Sequence, residues 1–141
     1  MAQPVTISKK ICMLGTFAVG KTSLIRQFIH QKFDEKYLST IGVQLSNKVV
    51  ELTNDRRTGR PTSVKLILWD LAHLERFDAP VRNYLHGAHA SVVVLDLTRP
   101  QSFSEYEEML DVFSDTNPQG KFVFVGNKTD LAADDDTRQL V

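Results

Sequence analysis

Apolar positions along this chain follow two rhythms in alternation. Lys10 to Leu14 is a short apolar run stopping at Gly15, which predicts a buried strand. From Lys21 to Ile29, residues Leu24, Ile25, Phe28 and Ile29 fall at helical spacing. Val43 to Leu52 alternates less cleanly, yet Val43, Leu45, Val49 and Leu52 predict a second strand. A polar stretch follows in which Gly59 and Pro61 are turn formers, and Val64 to Trp69 predicts another strand. The two runs flanking that turn should pair as an antiparallel hairpin with Arg56, Arg57 and Arg60 at its tip. Those arginines read as solvated loop charges, with a partner-binding tip as the sharper alternative. Pro80 to His86, carrying Val81, Tyr84 and Leu85, predicts a short helix. Ser91 to Leu97 reads as a strand buried on both faces. Ser102 to Glu105 fits a capping box, with Phe103, Tyr106, Met109, Leu110 and Phe113 continuing a helical stripe behind it. Lys121 to Val125 predicts one more buried strand before Gly126. Strands interleaved with helices mean an α/β layer fold: a mainly parallel sheet with one antiparallel hairpin strand, and helices on both faces.

Composition narrows the setting. A length of 141 residues supports one domain. Seventeen Lys plus Arg balance seventeen Asp plus Glu, so no basic surplus exists to grip a nucleic-acid backbone. No run of about twenty apolar residues spans a membrane. The start, MAQPVTISKK, lacks the apolar stretch of a signal peptide, and Ala2 stands where N-myristoylation needs glycine. The single cysteine, Cys12, has no partner for an internal disulfide and fits a reducing cytoplasm; its apolar neighbours predict a buried thiol.

Chemistry concentrates in four segments. Gly15-Thr16-Phe17-Ala18-Val19-Gly20-Lys21-Thr22 fits GxxxxGK[ST], placed after a strand and opening a helix. Glycine at Gly15 and Gly20 allows a tight turn that aims backbone N–H groups at phosphate oxygens, and the helix adds its positive end. Lys21 should reach the β- and γ-phosphates, and the Thr22 hydroxyl should ligate Mg²⁺. Asn127-Lys128-Thr129-Asp130 follows the KFVFV strand. A carboxylate at Asp130 can accept two parallel hydrogen bonds from guanine's N1–H and exocyclic amine, a donor pair adenine lacks. Asp70 closes the strand ending Trp69-Asp70, where an acid can hold a Mg²⁺ water shell. In the polar segment Tyr37 to Gly42, a threonine hydroxyl can complete that shell when a γ-phosphate is present.

With these segments the sequence resembles the Ras-like small GTPases, most closely the Rab branch, from about Ser8 to Leu131. GTFAVGKT resembles the family's phosphate loop, STIGV its first switch, WDLAHLERF its WDTAGQERF, and NKTD its NKxD. The resemblance implies a P-loop NTPase fold, GTP or GDP as ligand and Mg²⁺ as cofactor. It assigns Gly15, Ala18, Val19, Gly20, Lys21, Thr22 and Ser23 to phosphates and metal, and Thr40 and Asp70 to Mg²⁺ beside Thr22. Phe33 would pack against the guanine edge, Tyr37 would cover the phosphates, and Asn127, Lys128 and Asp130 would hold the base. Protein partners would meet Ile41 and an apolar trio, Leu45, Trp69 and Tyr84, which could equally fill the core edge.

Three departures bear on hydrolysis. His73 replaces the family's glycine after WDxA, restricting backbone angles and adding an imidazole. Leu74 stands where a glutamine orients the attacking water, and leucine has no donor or acceptor. Phe17 puts a ring where relatives carry small residues. All three predict slow hydrolysis, with Lys21 and Thr40 left as the catalytic groups. Alternatively His73 itself positions the water, as a histidine does in translational GTPases. Relatives also continue past NKxD with further helices and a strand, whereas this sequence stops eleven residues after Asp130. That points to a single domain, residues 1–141, lacking its last strand and helix, with KFVFV left as an apolar edge and no cysteine for prenylation. Three function classes follow: a GTP-dependent switch, a scaffold holding nucleotide permanently, and a P-loop kinase or ATPase, which NKTD and STIGV disfavour.

Overall fold

The computed structural model describes residues 5–16, 18–29, 36–38, 43–53, 55–57, 59–71 and 79–132. Among them lie six strands and three α-helices: β1 (Val5–Leu14), α1 (Lys21–Phe28), β2 (Lys36–Leu38), β3 (Val43–Leu52), β4 (Thr62–Asp70), α2 (Ala79–Leu85), β5 (Ala90–Asp96), α3 (Tyr106–Thr116) and β6 (Lys121–Asn127). A 3₁₀ turn, Pro100–Phe103, precedes α3. The sheet order is β2-β3-β4-β1-β5-β6. β1 runs parallel to β4 and β5, and β5 parallel to β6. β3 is the reversed strand, pairing antiparallel with both β2 and β4. This is the mainly parallel α/β sheet with one reversed hairpin strand that the pattern predicts.

Side-chain alternation explains why helices cover both faces. On β1, Cys12 and Leu14 point to one side, where Val81 and Leu85 of α2 and Met109, Val112 and Phe113 of α3 pack with Val93 and Leu95. Met13, one residue out of phase, points to the other side and meets Ile25, Val94 and Leu68, with Ile29 just past α1. A strand clad on both faces needs apolar residues at both parities, which is why the ends of β1 and β5 carry no alternation. Cys12 is buried as expected, and burial pushes its thiol up to about 12 despite the Lys10 ammonium nearby.

Several sequence expectations need correction. β1 begins at Val5 rather than Lys10, because VTISKK alternates between half-buried and exposed positions and so lacks an apolar run. Its pairing from Val5↔Thr62 onward, together with the Val5 N–H donating to the Pro61 carbonyl at 3.1 Å, extends both β1 and β4. The described part of β2 spans Lys36–Leu38, too short a stretch to show a period. The capping box does not form: Ser102 and Phe103 lie in the 3₁₀ turn, and α3 starts at Tyr106 with no side-chain cap. The Ser102 hydroxyl instead accepts the Asp96 N–H at 3.0 Å. Lys121 to Val125 is not a buried strand. Among the described residues β6 is the end strand of the sheet, the apolar edge also expected of KFVFV, with Phe122 49%, Val123 54% and Phe124 43% exposed. Among the described residues no helix is long and apolar enough to cross a membrane.

Candidate functional site

The loop from β1 to α1 turns on two glycines. Gly15 has φ +150°, and a Cβ there would lie 2.7 Å from the Val94 carbonyl oxygen. Gly20 has φ +103°, and the space its Cβ would need is filled by the Asn127 side-chain amide. Ala18 between them adopts φ 62°, a left-handed conformation that costs a non-glycine residue energy and so must be held from outside. α1 opens at Lys21 with no side-chain cap and no acid in its first turn. Its leading N–H groups are therefore left for an anion.

Lys21 is buried, and its Nζ donates to the Gly15 carbonyl and, at 3.2 Å, to the Thr16 carbonyl. Burial pushes its ammonium down to about 8, opposed by the charge of Asp70. A cation folded onto loop carbonyls in a dry site is poised to exchange them for phosphate oxygens. The Thr22 Oγ1 donates to Asp70 Oδ2, while Asp70 Oδ1 is buried and has no hydrogen-bond partner among the described residues. Hydroxyl, carboxylate and orphaned oxygen together fit a hard divalent cation such as Mg²⁺. Among the described residues no three His, Cys, Asp or Glu gather into a metal cage.

β6 delivers the second half of the site. The Asn127 amide donates to the Val19 carbonyl at 2.9 Å, and Lys128 Nζ donates to the Ala18 carbonyl at 2.8 Å. Residues more than a hundred positions apart thus fasten the phosphate loop from behind. Lys128 has φ 67°, followed by a turn in which the Leu131 and Ala132 N–H groups donate to its carbonyl. Asp130 projects from that turn into solvent.

The structure therefore gathers Gly15, Ala18, Val19, Gly20, Lys21, Thr22, Asp70, Asn127 and Lys128 at the carboxyl ends of β1, β4 and β6. Ser23 lies exposed on α1. Tyr37 has its backbone in β2 opposite Gln44, and its side chain is outside the described residues. Phe17, Phe33, Thr40, Ile41, His73 and Leu74 also lie outside them. Leu45 and Trp69 stand directly opposite each other on β3 and β4, and both pack with Tyr84 against the edge of one core cluster. Lys10 Nζ sits 3.8 Å from the Trp69 ring centroid and donates to the His86 carbonyl at 2.9 Å.

One site residue escaped the sequence reading. Asp96 ends β5 fully buried, and Lys128 Nζ donates to its Oδ2 at 2.8 Å. Burial alone would raise this carboxyl. The hydrogen bonds from Lys128, Thr98 and Arg99 outweigh it and hold the group well below the usual carboxylate range. A signal existed: SVVVLD ends in a lone acid after an apolar strand, the same pattern that singled out Asp70.

Comparison with known families agrees with this geometry. The family model described as Ras of Complex, Roc, domain of DAPkinase matches residues 10–130, well over half of the chain.

Proposed function

The chain belongs to the Roc family, Ras-like GTP-binding domains of the P-loop class, and from that premise we propose a Mg²⁺-dependent switch of the Ras/Rab kind that hydrolyses GTP slowly. The observation that carries the reading is the fastening of Ala18 and Val19 by Lys128 and Asn127, which joins a phosphate loop to a base-selecting segment in one crevice. Within it the Gly15–Gly20 backbone and the first turn of α1 offer N–H groups to the phosphates. Lys21 exchanges its loop carbonyls for β- and γ-phosphate oxygens. Thr22 and Asp70 would hold Mg²⁺, which when bound neutralises charge on those phosphates. Asp130 pairs with the guanine edge. Thr40 would complete the metal shell in the triphosphate state.

Slow turnover rests on Leu74, which by its chemistry cannot orient water, and on His73 and Phe17, bulky side chains where Ras-like relatives carry glycine or small residues. Partner proteins would engage Ile41 and the half-buried Leu45, Trp69 and Tyr84, in the cytoplasm. The same Leu74 supports a second reading, a scaffold that keeps its nucleotide. Titration with GDP, GTP, ADP and ATP tests the core of this proposal: guanine nucleotides should bind at least a hundredfold tighter, and equal adenine affinity would refute it. A single-turnover GTP assay separates switch from scaffold. A rate at or above that of ordinary Ras-like proteins would overturn the slow-hydrolysis reading. Loss of all turnover in His73→Ala would assign the water to that histidine.

A further inference from the structure

Among the described residues, Asp96 is a fully buried carboxylate of this crevice that neither phosphate nor metal chemistry explains. Its two oxygens have separate duties. Oδ1 accepts the Thr98 N–H at 2.9 Å and the Thr98 hydroxyl at 2.6 Å, which shapes the turn leaving β5. Oδ2 accepts Arg99 Nε at 2.9 Å and Lys128 Nζ at 2.8 Å. Lys128 uses the same ammonium on the Ala18 carbonyl, at 2.8 Å. Three elements meet at that nitrogen: the end of β5, the segment after β6 and the phosphate loop.

The loop needs this. Ala18 is held at φ 62° and Lys128 itself at φ 67°, two non-glycine residues in a conformation that the bare chain disfavours. An ammonium on a flexible four-carbon stem does not fix its own position. The buried Asp96 carboxylate fixes it, because its charge-assisted hydrogen bond to the half-buried Lys128 ammonium is short and directional. We infer that Asp96 is a positioning residue of the nucleotide site: it aims Lys128 at the Ala18 carbonyl and so keeps the phosphate loop in its binding shape. This rests on the proposed nucleotide function, and it assigns a role on β5, outside every motif that names the site.

The test is the release rate of a fluorescent N-methylanthraniloyl-GDP from the purified chain, chased with excess GDP. Asp96→Asn keeps the shape of the side chain and leaves no buried charge, so it should fold. Release should quicken at least tenfold. Lys128→Met should quicken it comparably, and the double variant should be no faster than Lys128→Met alone, since Asp96 acts through that lysine. Thr98→Val removes only the hydroxyl bond to the other oxygen and should stay within twofold of the parent. Asp96→Glu, which retains the charge, should recover most of the loss and serves where the Asn variant does not fold. An Asp96→Asn rate within twofold of the parent, or effects that multiply in the double variant, overturns the inference while leaving the functional reading intact. Thr98→Val releasing as fast as Asp96→Asn would reduce Asp96 to a structural cap and overturn it too. A parent chain that binds no guanine nucleotide sinks the functional reading and this inference with it.

Discussion

Gly20 and Lys21, adjacent in the chain, are constrained by opposite means. At Gly20 the constraint is space and backbone: a φ of +103° suits only glycine, and the Asn127 amide fills the place of a side chain. Gly20→Ala should cost about 1–3 kcal/mol in strain alone and push Asn127 off the Val19 carbonyl. Thermal unfolding and GDP titration of the same sample should show both losses; unchanged affinity would mean that the loop tolerates the shift. At Lys21 the constraint is solvation. Its ammonium is pushed down to about 8 from 10.5 by burial, with Asp70 opposing. Between those two values the unfolded chain holds the proton and the folded chain does not. Stability from this group therefore rises with pH across that window and is lowest below it. Phosphate oxygens favour the charged form, so GDP binding above about pH 8 should take up protons and weaken as pH rises. Calorimetry in two buffers of different ionisation enthalpy measures that uptake, and none at pH 8.5 would contradict the buried-lysine geometry.

At the scale of elements, composition and placement part company. α3 and β6 each carry phenylalanines, yet Phe113 is fully buried while Phe122 is half exposed on the last strand. Truncating Phe113 to alanine should cost about 3–5 kcal/mol, whereas Phe122→Ala should change stability by less than about 1 kcal/mol. Urea midpoints at constant slope would check this, and equal losses would mean that β6 is covered in solution. The helical stripe of α3 was legible because an amphipathic period survives any cap. Its start was not, because Ser102 is taken by the Asp96 N–H, a residue on another element. β2 is illegible for a simpler reason: the described stretch Lys36–Leu38 is too short to carry a period.

For the molecule as a whole, nucleotide is a ligand of the folded state alone. The crevice draws on β1, α1, β4, β5 and β6 at once and does not exist in the unfolded chain. GDP at a hundred times its Kd should therefore add about 2.7 kcal/mol, a rise of roughly 10 °C in melting midpoint for a domain of this size. Thermal shift assays with GDP and ADP side by side decide it: an equal rise with ADP would remove the guanine assignment.

Local chemistry was enough for the sequence to determine the alternation of strands and helices, the phosphate loop with its glycines and lysine, and the segment from Asn127 to Asp130. Each of these follows from neighbours a few residues apart, through apolar period, turn geometry or a fixed donor spacing. Only the tertiary structure decided that the Asn127 amide would occupy the hollow at Gly20 and that Asp96 would anchor Lys128. Those outcomes depend on which chain segments the sheet order brings side by side. Burial and ion pairing are properties of that meeting, and no window of sequence contains both partners.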